Sequence, residues 1–282
     1  MGRAAEAVLH MERGLALYDQ VPHVSQTYLY GGHDAGACCR YHLTVNLWLL
    51  GYPDRSLQAL VDALRLSEEL KHPLTRMVTL WYVAWVHSQR GERAAVRAKL
   101  EELLALGKEH GISSMMDASI FLLDTDTAFG KQGLASLIER LQETWASASW
   151  HRVFCMCVLA QRCIDEHHTV EGLSILASIS ADDRRAFYAP EMHRLEGELR
   201  RGLPSPDAKE IETCFRVAVT LANQRKEKSL ELRAAVSLAR FWRDQGKRDE
   251  ARDLLAPVYG WFTEGFDTVD LKQAKTLLDE LA

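Results

Sequence analysis

Apolar residues along this chain recur with a helical period, and the period is cut at regular places. In LWLLGYPDRSLQALVDALRLSEEL, Leu47 to Leu70, the residues Leu57, Leu60, Val61 and Leu64 fall at i, i+3, i+4 and i+7, which is one face of a helix. Gly51, just ahead of them, reaches left-handed dihedrals without a Cβ clash and closes the preceding helix. Pro53 and Asp54 suit the first turn of the next. The segment reads as a helix, a tight turn and a second, antiparallel helix.

The same break recurs in AWVHSQRGERAAVRAKLEELLAL around Gly91 and in LARFWRDQGKRDEARDLLAPVY around Gly246, with weaker joins near Ala128, His167 and Pro206. The positions 51, 91, 128, 167, 206 and 246 are separated by 40, 37, 39, 39 and 40 residues. Even steps of this size, in a chain almost without β-branched alternation, predict stacked helical pairs that share one continuous core. Secondary breaks at Lys71 to Pro73, Glu109 to Ser113 and Ser180 to Arg185 separate one pair from the next.

Small residues sharpen this to a tetratricopeptide-type pair, because close helix packing needs short side chains at two fixed places. Seven residues before and five after each join stand Ala239 and Ala251 for Gly246, Thr44 and Ser56 for Gly51, and Ala160 and Gly172 for His167. The Gly91 join gives Ala84 and the larger Val96, and the Ala128 join gives the large Phe121, so its register is slipped or degenerate. The expected fold is all-α, a right-handed superhelix of about six helix pairs with a period of roughly 39 residues. Within a single domain spanning 1–282, residues 1–20 form the second helix of a truncated repeat and 37–266 the stacked pairs. Residues 267–282 form a capping helix with Leu271, Ala274, Leu277, Leu278 and Leu281 on one side.

Composition narrows the setting. The 282 residues are 47% hydrophobic and 26% charged, enough for a large buried core. No run approaches the roughly 20 apolar residues of a membrane span. The first twenty residues carry acidic groups and helical periodicity where a signal peptide has an apolar core, so the expected location is cytoplasmic, without a membrane partner. Six cysteines without a C-x-x-C spacing read as reduced thiols. A net charge of −5 argues against nucleic acid, although Arg225 to Arg252 holds nine Lys/Arg against five Asp/Glu.

The runs GHDAGACC (Gly32 to Cys39), LWLLGYPDRSL (Leu47 to Leu57) and above all Lys228 to Leu281 resemble the C-terminal tetratricopeptide region of large bacterial STAND-type signalling ATPases. Many members of that group also carry a class III adenylate/guanylate cyclase domain. The resemblance covers essentially the whole chain and implies a sensor or protein-interaction role rather than cyclase activity. The cyclase and ATPase parts have no counterpart here. The expectation is either a fragment or a separate short gene product, and the unpaired helix at Arg3 to Tyr18 favours a cut within a longer array.

Sequence motifs for chemistry are absent. None of the Gly-Lys pairs is followed by Ser or Thr: Gly130-Lys131 is followed by Gln132 and has Thr125 where a phosphate loop needs its first glycine, Gly107-Lys108 and Gly246-Lys247 are followed by Glu109 and Arg248, and no H-E-x-x-H, G-x-S-x-G or G-x-G-x-x-G occurs. His33, Asp34, Cys38 and Cys39 gather near a helix start, where Asp34 as a cap accounts for the pattern. Asp124 with Asp126, and Asp182 with Asp183, lack the shared face that paired catalysis needs, and His167 and His168 read as solvated turn residues. No catalytic, cofactor or metal residue is therefore assigned.

What remains is the exposed side of the first helix in each pair. Projection from the joins places Tyr41, Val45 and Trp48, then Trp81, Trp85 and Ser88, then Cys157 and Gln161, then Arg233, Val236, Arg240 and Arg243 there. The peptide-groove candidates are Tyr41, Trp48, Trp81, Trp85, Gln161, Arg233, Arg240 and Arg243, aromatic at one end and basic at the other. The competing reading makes the tryptophans inter-repeat core and the arginines solvated. The expected function is a non-catalytic interaction module whose partner is a protein or peptide, or the ATPase or cyclase part of the same protein. The alternative is a scaffold that forms homo-oligomers through its open N-terminal end.

Overall fold

The computed structural model describes residues 4–18, 32–113, 119, 134, 136, 137, 139, 150–180 and 188–282. All regular structure among them is helical. The chain divides into two compact units, Arg3–Leu123 and Asp124–Ala282.

In the first unit α1 (Ala4–Leu17) packs on α2 (Ala35–Leu49), which pairs with α3 (Pro53–Leu70), and α4 (Pro73–Gln89) pairs with α5 (Arg93–His110). The second unit pairs α6 (Trp150–Asp165) with α7 (Thr169–Ala177), α8 (Ala189–Arg201) with α9 (Ala208–Arg225), and α10 (Lys228–Asp244) with α11 (Arg248–Gly260). A last helix, α12 (Val269–Leu281), lies against both α10 and α11. First helices of successive pairs also meet: α2 on α4 in the first unit, and α6 on α8, α8 on α10 and α10 on α12 in the second.

One turn geometry closes five of the described helices. Gly51, Gly91 and Gly246 have φ of +90°, +76° and +81°. At each, the glycine N–H and the next residue's N–H return to the last helical turn: Gly51 to Trp48 O and Tyr52 to Leu47 O, Gly91 to Ser88 O and Glu92 to His87 O, Gly246 to Arg243 O and Lys247 to Trp242 O. The paired bonds satisfy carbonyls that the helix end would otherwise orphan. His167 (φ +62°) and Lys226 (φ +59°) make the same two bonds without being glycine. The break near Pro206 is built differently. Gly202 stays right-handed, and Asp207 caps α9 by accepting from Lys209 N at 2.8 Å and Glu210 N at 3.3 Å.

Just inside these turns the two helices of a pair come close. Ser56 Oγ donates to Thr44 O across α2 and α3 at 2.8 Å, and both side chains are buried. A Cβ on Gly172 would lie 3.0 Å from Cys163 Cβ and 2.5 Å from Leu199 Cδ2, so this position needs glycine for space. Ala160, Ala239 and Ala251 are fully buried at the corresponding places. Val96 is the larger, partly buried exception. The join near Ala128, with Phe121, Asp124, Asp126, Asp182 and Asp183, lies outside the described residues.

The turns make opposite predictions for glycine. A Cβ at Gly246 meets nothing within 4 Å, so Gly246→Ala loses only the left-handed backbone preference and should lower unfolding free energy by about 1–2 kcal/mol. His167→Gly should raise it by up to about 1 kcal/mol. Urea unfolding of both variants checks this, and equal signs would refute the shared geometry.

Candidate ligand-binding face

The projected groove positions separate sharply by unit. In the first unit, Tyr41, Trp48, Trp81 and Trp85 are all buried. Tyr41 stacks on Tyr82 with centroids 4.2 Å apart, and Trp48 meets Trp85 edge-on at 5.7 Å. These rings fill the seam between α2 and α4 and present no face to solvent. The aromatic end of the expected groove is core, for the reason that large rings gain most where two helices close over them. Beside this seam, Asp34 caps α2 with Oδ1 accepting from Ala37 N at 2.8 Å, and Oδ2 accepts from Tyr18 OH at 3.0 Å. Its own N–H donates to Thr75 Oγ1 at 3.0 Å. The GGHDAGACC segment thus uses its acid as a cap, and no cluster of metal-binding side chains forms among the described residues.

In the second unit Gln161, Arg233, Arg240 and Arg243 are partly exposed, whereas the projected Cys157 and Val236 are buried. From Ser229 to Trp242, α10 is buried except at Arg233 and Arg240, and Arg243 continues the same stripe one turn on. On α8 the residues Glu191, Arg194, Glu198 and Arg201 stand at i, i+3, i+7 and i+10, and on α12 Asp270, Gln273 and Glu280 do likewise. Their side chains join into three rungs that cross the helices.

The first rung is the deepest, with acidic and basic side chains 8–20% exposed. Arg194 holds Glu191 by two hydrogen bonds, 2.9 Å from Nε and 2.8 Å from NH2, and NH2 also donates to Gln161 Oε1 on α6 at 2.9 Å. Arg233 Nε donates to Asp270 Oδ2 at 2.7 Å while its NH1 stands 3.8 Å from Glu191. Burial alone would raise the Glu191 carboxyl, but Arg194 and Arg233 more than offset it and hold it below the usual carboxylate range. Arg233 behaves in the mirror sense, with burial overcome by Asp270 and Glu191. Tyr188, in a left-handed conformation (φ +69°) at the start of α8, packs edge-on against Phe154 under this rung.

The third rung is more exposed: Arg201 bridges Glu198 and Asp244, each at 3.1 Å, and Arg243 joins Asp244 at 2.9 Å and Glu280. Between these rungs Arg240 makes one hydrogen bond among the described residues, NH2 to the neutral Gln273 Oε1 at 3.3 Å. Its pKa is the one lowered among the stripe arginines, first by burial, with Arg243 and Arg194 adding and Glu198 and Glu280 opposing. Cys157, also projected here, is buried, its thiol pushed up by burial and by Glu191.

Glu191, Arg194, Asp270 and Gln273 escaped the projection from the joins. Their signal is the i, i+3, i+7, i+10 charge pattern in PEMHRLEGELRR and the polar side of the last helix.

Away from the face, Glu227 at the turn into α10 is 2% exposed, its Oε2 has no hydrogen-bond partner among the described residues, and burial raises its pKa to about 7, against a smaller opposing effect of Arg225. A carboxyl raised in the folded state costs stability progressively as pH rises from its unfolded value through about 7. Glu227→Gln should therefore match wild type near pH 4.5 and exceed it at pH 8 by up to about 3 kcal/mol, read by denaturant titration at both pH values. Removing the Glu191 carboxylate should leave buried guanidinium uncompensated: Glu191→Met loses about 3–5 kcal/mol, and the double variant Glu191→Met/Arg194→Leu loses less. A double variant worse than the single one by a full additive increment would refute the coupling.

No family model matches the chain. It is similar to an uncharacterized protein of Rhizobium meliloti (strain 1021), at 24% identity over 246 residues, which is 84% of this chain and 24% of that protein. The chain spans about a quarter of the length of the curated relative it matches.

Proposed function

We propose that this chain is a non-catalytic interaction module, a tetratricopeptide-like right-handed superhelix that binds a protein or peptide and regulates a bacterial signalling ATPase or adenylate cyclase-like protein in the cytoplasm. The observation that carries the reading is the laddered face of α6, α8, α10 and α12, where charged and amide side chains line up across helices. Hydrogen-bonding groups held at fixed spacing by packed helices suit recognition of an extended chain, and arginine is a common anchor at such surfaces. The length of the Rhizobium relative is in keeping with a module inside a larger protein. The regulated ATPase or cyclase part comes from the sequence resemblance.

A second reading is a self-associating scaffold. It is favoured by Leu9 (58% exposed) and Leu17 (80% exposed) on α1. Sedimentation equilibrium separates it, since a scaffold gains mass with concentration and loses that gain in Leu9→Glu/Leu17→Glu.

For the interaction module, the purified chain should capture a partner from bacterial lysate that a folded Gln161→Ala/Arg240→Glu/Arg243→Glu variant does not. Mass spectrometry of both captures, with circular dichroism as the folding control, makes the comparison. Identical sets from wild type and variant would defeat the assignment of binding to this face.

A further inference from the structure

Arg240 differs from its neighbours in what faces it. In the first rung Arg194 and Arg233 are matched by Glu191 and Asp270, and in the third Arg201 and Arg243 are matched by Glu198, Asp244 and Glu280. Among the described residues no carboxylate stands within ion-pair distance of the Arg240 guanidinium. The acids whose charge acts on it, Glu198 and Glu280, already serve Arg201 and Arg243. A guanidinium has five N–H donors in a planar fork, and the long Gln273 contact uses one of them.

A solvated arginine would need no more than this. Arg240 is half-buried instead, on a helix whose flanking positions Val236, Ser237, Ala239 and Phe241 are buried, so part of its hydration is gone. Arg194 and Arg243 on either side add like charge. A single anionic group placed on the open fork would be bound by paired, charge-assisted hydrogen bonds in a partly dehydrated setting.

We propose that Arg240 is the carboxylate-receiving subsite of this face, and that its ligand is an extended peptide segment presenting an Asp or Glu side chain or a C-terminal carboxylate. The inference rests on the interaction-module reading and names its ligand chemistry. One unmatched cation between two matched rungs suits one carboxylate better than a dianionic phosphate. The face crosses four helices, and at about 8–10 Å between axes it is roughly 30 Å long, the reach of about nine extended residues. Gln161 and Gln273 offer amides to a peptide backbone on either side of the anchor.

The test is an array of nonapeptides made with free and with amidated C-termini, and with Asp and Glu replaced by Asn and Gln, probed with the purified chain. Affinities of the selected peptides are then measured by fluorescence anisotropy. Binders should require a carboxylate at one fixed position. Loss on amidation identifies a terminal carboxylate, and loss on the Asn or Gln exchange a side chain. Arg240→Gln should weaken binding about tenfold or more, with partial recovery in Arg240→Lys. Gln273→Glu keeps the arginine but supplies its carboxylate internally, so it should weaken the peptide comparably while raising Tm, which a merely structural role for Arg240 does not produce. Binders that ignore carboxylates, or equal affinity of wild type and Arg240→Gln, would overturn the subsite, as would an array without binders. If Arg240→Gln binds normally while Gln161→Ala loses the same peptides, the module reading stands and the anchor alone fails.

Discussion

Two hydrogen bonds at the end of a helix carry much of this architecture. The residue in the left-handed turn and the one after it donate back to the last turn, at Gly51, Gly91, His167, Lys226 and Gly246 alike. Because the chain must reverse within two or three residues, the next helix starts beside the one it left. Bulky side chains are then excluded where the pair closes, which is where Thr44, Ser56, Ala160, Gly172, Ala239 and Ala251 stand. The fixed reversal also sets which face of each first helix is left for the next pair. Core packing, rather than helix propensity, holds the stack, since a lone amphipathic pair buries only one side.

Legibility in the sequence follows from how singular each residue's chemistry is. Gly51, Gly91 and Gly246 announce their turns because glycine alone takes positive φ freely. His167 was reachable only through the 39-residue spacing, and Lys226 carries no compositional mark at all. The apolar side of α12 is legible in its spacing: Leu271, Ala274, Leu277 and Leu281 are buried and Leu278 is partly buried. Its polar side was overlooked, although Asp270 and Gln273 complete rungs begun on α8 and α10.

The aromatic residues show the limit of phase. Trp81 and Trp85 sit at the same offsets from Gly91 as positions on the Arg240 stripe do from Gly246, so periodicity assigns both to one face. Whether that face is open depends on what lies over it, a long-range property that no local spacing encodes. Side-chain chemistry arbitrates better: a charged guanidinium resists full burial, whereas a tryptophan gains from it.

The ladder itself is poor evidence for stability. Taking Glu191, Arg194, Arg233 and Asp270 out of water costs several kcal/mol per ion, and the pairing between them does little more than recover that cost. Apolar side chains would hold α8, α10 and α12 together at least as well, as Phe215 and Phe241 do for α9 and α10. What the charged rungs add is directional: each fixes side-chain positions across a helix boundary, and each is closed to further partners once matched. A face built from closed rungs offers a ligand few places to attach, which gives weight to the position where the matching is incomplete. For the carboxylate ligand proposed at Arg240, selectivity would arise from contrast, because an anion moved along the face meets Glu191, Glu198, Asp270 or Glu280 on either side of Arg240 and is repelled there.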